Sequence, residues 1–209
     1  SGVKNILFQL PIIKAVLLTG LEPIILLPSK ASKLDKLIYE LCGIKNFDYW
    51  SSKIDIVGYK KILKKLKSCS NQEEVLKLKW KNISIGKYAL SSLMRKERIG
   101  QIDLNDKLLR NTLYIEFENC FRHANISKLL FKKWTPKLVV LIDRGYTPEG
   151  TLFDEALNKN VKAISFCTGH KDNTLILKKF DYQNRNSHPV SLSQKSWNNL
   201  KKSNWNDTH

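Results

Sequence analysis

Apolar positions along this chain follow two periods. Leu34, Leu37, Ile38 and Leu41 recur three and four residues apart, which predicts one face of a helix, closed by Gly43. The same spacing predicts helices through Ile12 to Leu18, with Gly20 at the C-cap position, through Val57 to Leu66, and through Val75 and Leu78. A long helix is predicted where Leu109, Leu113, Phe117, Cys120, Phe121 and Ala124 form a stripe that Lys132 to Pro136 ends. Between these lie the unbroken apolar runs Ile24 to Leu27 and Leu138 to Ile142, and the mainly apolar Val161 to Phe166, which carries Lys162 and Ser165. Such runs suit strands buried on both faces of a parallel sheet.

The last two runs are joined by one helix's length of sequence, with Leu152, Phe153, Ala156 and Leu157 on its inner face. They predict adjacent parallel strands with a right-handed crossover. The whole order predicts an α/β fold, a Rossmann-like and mostly parallel sheet flanked by helices. Open α/β sheets bind ligands at the carboxyl ends of their strands. Two loops leave that edge here, one through Asp143, Arg144, Gly145, Tyr146, Thr147, Pro148, Glu149 and Gly150, the other through Gly169, His170 and Lys171.

Asp143 and His170 are the candidate acid–base residues, since a carboxylate across a crevice can orient a histidine or act as a base itself. Arg144, Gly145, Tyr146, Glu149 and Lys171 are candidates for substrate contact. Gly150 and Thr151 at the helix start could meet a phosphate or sugar oxygens with free backbone N–H groups. Each has a plain alternative. Asp, Gly and Pro make ordinary turns, Thr147 or water can cap the helix, and a lone loop histidine is commonly only a hydrogen-bonding residue. The polar stretch from Asp181 to Pro189 reads as a long loop over the sheet edge, with Arg185 and His188 as candidates for acceptor contact.

Composition narrows the class. A chain of 209 residues that is 42% hydrophobic can bury a sizeable core. Cys42, Cys69, Cys120 and Cys167 are far apart, which suggests reduced thiols in the cytoplasm rather than a disulfide framework or a zinc site. The start at Ser1-Gly2-Val3 reads as an interior cut with no signal peptide, and Pro11, Lys14, Gly20, Glu22 and Pro23 interrupt the apolar stretch from Ile6 to Leu27 too often for a membrane span. The net charge of +17 rests on 30 Lys against 6 Arg. Base-reading surfaces favour the planar fork of arginine, so this balance disfavours nucleic acid. It leaves a solvated lysine face, an anionic membrane surface or an anionic substrate as readings.

The segments Trp80 to Arg95, Asp143 to Gly150, and Asn173 through His188-Pro189 to Trp197 resemble bacterial capsular or surface polysaccharide biosynthesis proteins of the glycosyltransferase type. The resemblance runs from about Leu7 onward. It implies the N-terminal, acceptor-side domain of a GT-B-like glycosyltransferase, spanning residues 1–190, with residues 191–209 starting a linker to a C-terminal domain not present in this sequence. Trp197 and Trp205 would dock that linker. The partner would be a sugar or polysaccharide acceptor, the second substrate a nucleotide-sugar donor, with no bound metal or cofactor. The setting would be cytoplasmic, with peripheral contact with the anionic inner face of the membrane as one option. Two other readings are a non-catalytic membrane-associated scaffold in polysaccharide assembly and a basic nucleic-acid-binding module.

Overall fold

The computed structural model describes residues 2–28, 31–50, 55–169, 171, 174–191 and 194–202. The chain forms two compact units, Ser1–Lys53 and Ile54–His209.

In the first unit, α1 (Gly2–Leu18), β1 (Ile24–Leu27), α2 (Lys33–Leu41) and β2 (Asn46–Tyr49) follow one another, and β1 pairs with β2 in parallel. Ser32 opens α2 with a capping box. Its hydroxyl accepts the Asp35 N–H at 3.1 Å, while the Asp35 carboxylate accepts the Ser32 N–H at 3.2 Å. Gly43 closes α2 with φ near +85°, a conformation glycine takes at least cost. Ile6, Ile13, Leu27, Tyr39 and Ile44 make the core.

The second unit opens with α3 (Ile56–Lys67), α4 (Gln72–Leu76), α5 (Ile85–Glu97) and the long α6 (Lys107–Trp134). Asp55, Asn71 and Asp106 cap α3, α4 and α6 through side-chain oxygens. The α6 stripe of Leu113, Phe117, Cys120, Phe121 and Ala124 is buried against Tyr88, Ala89 and Leu93 of α5 and Ile62 and Leu66 of α3. A Cβ on Gly86 would fall 1.8 Å from the Val75 carbonyl oxygen, so α5 rests on the chain of α4 at a distance only glycine permits.

After α6 come β3 (Leu138–Leu141), α7 (Glu149–Asn158), β4 (Lys162–Thr168), β5 (Leu175–Phe180) and α8 (Gln194–Lys202), the last inside the stretch read as linker. β3 and β4 pair in parallel, with Leu138 opposite Lys162 and Leu141 opposite Ser165, as the sequence predicts. β5 pairs with β4 antiparallel. The architecture is therefore α/β with two open sheets, one parallel and two-stranded, one mixed and three-stranded, in place of the single mostly parallel sheet expected. The reason is local. Six residues separate Thr168 from Leu175, too few for the crossover a parallel neighbour needs. Among the described residues no helix is long and apolar enough to cross a membrane.

Candidate functional site

The loop leaving β3 is braced by its own first carboxylate. Asp143 Oδ1 accepts the backbone N–H groups of Arg144 at 2.6 Å and Gly145 at 2.8 Å, an Asx-type turn. The Thr147 N–H donates to Ser92 Oγ on α5 at 3.1 Å, tying the loop to the helix packed beside it. At the start of α7 the Gly150 N–H donates to the Tyr146 carbonyl at 2.7 Å and the Thr151 N–H to the Pro148 carbonyl at 3.1 Å. Thr151 Oγ1 also donates to the Pro148 carbonyl, and it lies 3.1 Å from Ser127 Oγ of α6. Gly150 and Thr151 are buried, so these groups serve the chain itself. What approaches the Gly150 backbone is the Tyr88 ring, which an added Cβ would meet at 2.3 Å.

Arg144 turns inward as well. Its guanidinium lies over the rings of Phe153 at 5.0 Å and Phe180 at 4.5 Å, and donates to the carbonyls of Arg185, at 3.0 Å, and Ser187. Burial opposes its charge, while Tyr88, Asp143 and Asp154 favour it. Arg185 pairs with Asp154 at 2.8 Å and stacks on Tyr182. The other Asp154 oxygen accepts the Ser84 N–H at 2.8 Å. Lys178 donates to the carbonyls of His188 at 2.7 Å and Ser191 at 2.8 Å. Residues 181–191, which contain the loop predicted from Asp181 to Pro189, are thus a strap held along β5 by three cations. Arg144 and Arg185 spend their charge on holding it, and His188, exposed, uses Nδ1 to accept the Val190 N–H at 3.3 Å.

What remains at the carboxyl edge of β3 is an acidic and aromatic group. Glu149 has its proton affinity raised by burial and, less, by the neighbouring Asp143 carboxylate, with a hydrogen bond from its own backbone and the Arg95 charge opposing. The Arg95 guanidinium lies 4.6 Å from the Tyr146 ring, so one face of that ring is covered by a cation. Two neighbouring carboxyl groups, Glu149 with its proton affinity raised, beside a half-buried aromatic ring can move a proton and hold a flat apolar face. A carboxyl whose folded value lies above its ordinary 4.5 favours the folded state when protonated. That contribution is complete below the ordinary value and is lost as pH rises through the raised one. Glu149→Gln should therefore gain stability relative to the parent between about pH 4 and pH 7; urea unfolding at both values checks the sign.

β4 continues three residues past the Leu141–Ser165 pair, so Lys171 follows a strand end roughly 10 Å farther along the sheet. Lys171 is exposed, and its carbonyl accepts from Thr174. His170 lies outside the described residues. Cys120 is buried beneath the first loop, where burial pushes its thiol up to about 12, and the Thr147 hydroxyl lies beside it. Two shallow depressions of about 300 and 330 Å³ flank Tyr182 at the opposite end of the sheet, near Asn160. Among the described residues no group of three or more His, Cys, Asp or Glu could hold a metal ion.

Sequence reasoning missed Arg95, Ser92 and Asp154. Arg95 and Ser92 carry only the i, i+3 spacing that puts them on one face of α5, while Asp154 sits on an apolar helix face, itself a sign of a buried partner. Comparisons with family models, curated proteins and solved structures find no match to this chain.

Proposed function

We propose that the carboxyl edge of β3 binds the acceptor in a sugar-transfer reaction, within a chain that is the acceptor-side domain of a GT-B-like glycosyltransferase of surface polysaccharide synthesis. The observation that carries the reading is the placement of Glu149, with raised proton affinity, beside Asp143 and Tyr146 at a single strand end. Protonation chemistry fits Glu149 better than Asp143, whose Oδ1 is engaged by two backbone N–H groups. In this reading the open face of Tyr146 packs on the sugar ring. Glu149 takes the hydroxyl proton as the acceptor oxygen bonds to the anomeric carbon, and the bond from that carbon to the nucleotide phosphate breaks, its electron pair leaving with the nucleoside diphosphate. The family resemblance supplies the donor class and places its binding on the C-terminal domain.

Saturation-transfer NMR of the 209-residue chain with methyl glycosides of common hexoses and N-acetylhexosamines is the test. At least one should give signal at millimolar concentration, and Tyr146→Ala should weaken it about tenfold, the loss of one ring's stacking. No signal from any glycoside, or one that Tyr146→Ala leaves intact, would remove the sugar assignment from this edge.

A further inference from the structure

We propose that the outward face of α3 is a docking surface for anionic lipid. Gly58, Ile62 and Leu66 are buried, which fixes the rotation of the helix. At 3.6 residues per turn, Val57, Lys60, Lys61, Lys64 and Lys67 then share an arc of about 120° on the opposite side. All five are exposed. No acid occurs between Ile56 and Lys67, and among the described residues none of these lysines is within ion-pair distance of a carboxylate. The helix macrodipole accounts for cations in the last turn, at Lys64, Lys65 and Lys67. It does not account for Lys60 and Lys61, nor for Val57 at 81% and Ile56 at 59% exposure at the positive end of the dipole.

A cationic face with exposed branched side chains at one end matches a headgroup layer, which attracts point charges and takes up apolar side chains at shallow depth. A nucleic-acid groove would select arginine forks and stacking aromatics, and this face has neither. The surface is built from different residues than the β3 edge, so it stands or falls independently of the sugar reading.

Flotation of the 209-residue chain with vesicles of phosphatidylcholine alone, or with one quarter phosphatidylglycerol, tests the proposal. Binding is expected only with phosphatidylglycerol and should vanish in about 0.5 M NaCl, where screening is nearly complete over a few ångström. Each lysine near an anionic surface contributes about fivefold, so Lys60, Lys61, Lys64 and Lys67 changed together to Gln should lower partitioning by nearly three orders of magnitude, about 600-fold. Changing the exposed Lys107, Lys132, Lys159 and Lys162 to Gln removes the same charge and should leave most of the binding. Equal loss in the two variants, binding to phosphatidylcholine alone, or no vesicle binding would overturn the proposal. So would duplex DNA displacing the protein from vesicles through these same lysines. Far-ultraviolet circular dichroism confirms that each variant is folded.

Discussion

Asp154→Ala should cost about 3 kcal/mol of stability and lower the melting temperature by roughly 6–12 °C for a chain of this size. The carboxylate is 2% exposed and carries three loads. It pairs with Arg185, accepts the Ser84 N–H, and receives the Tyr88 hydroxyl, whose proton affinity is raised well above its usual value by burial and then by Asp154. Alanine would leave the buried Tyr88 hydroxyl and the half-buried Ser84 N–H without an acceptor. It would also leave Lys87, whose charge burial and Arg144 already disfavour, without a nearby anion. The cost lies at the low end for breaking a buried pair because the Arg185 side chain is 22% exposed and can rehydrate. Asp154→Asn keeps an acceptor and should cost about half as much. Urea unfolding followed by circular dichroism gives the magnitude, and limited proteolysis should find residues 181–191 cleaved faster in the alanine variant. A loss under about 1 kcal/mol, with the strap equally resistant, would mean that Asp154 does not hold it.

If the proposed reaction holds, Glu149→Gln should lower sugar transfer about 10²–10⁴-fold while leaving the protein folded at neutral pH. Gln matches the shape of Glu and cannot take a proton, so the loss isolates proton transfer from packing. Asp143→Asn provides the contrast. Asn retains the oxygen that accepts the Arg144 and Gly145 N–H groups, so the loop should keep its form and the rate should fall less than about tenfold. Initial rates of nucleoside diphosphate release in the presence of acceptor give both figures. A fall under about threefold for Glu149→Gln would leave this carboxyl a structural residue, and a larger fall for Asp143→Asn would exchange the two roles.

Much of the framework is legible along the chain because it rests on local periodicity. Ile24–Leu27 and Leu138–Leu141 are strands where unbroken apolar runs put them, and α3 and α6 run where three- and four-residue spacing traces a stripe. Glycines at 20 and 43 take positive φ where helix ends require it. The candidate loop was identifiable too, since a parallel strand must end in one. The division of labour inside it was not. Arg144, Gly150 and Thr151 carry the chemistry of ligand contact in sequence, yet each is buried, and Arg144 is committed to strap carbonyls 41 and 43 residues farther along the chain.

Sequence by itself determined the α/β class, the β3–α7–β4 unit and the excess of lysine over arginine, because each depends on residue type and short spacing. Only tertiary structure decided that β5 runs antiparallel to β4, that Asp154 gathers Ser84, Tyr88 and Arg185 around one carboxylate, and that Arg144 turns onto Phe153 and Phe180 while burial raises the proton affinity of Glu149. Burial and charge pairing are sums over residues far apart in the chain. A guanidinium reads the same in sequence whether it meets a ligand or two aromatic rings.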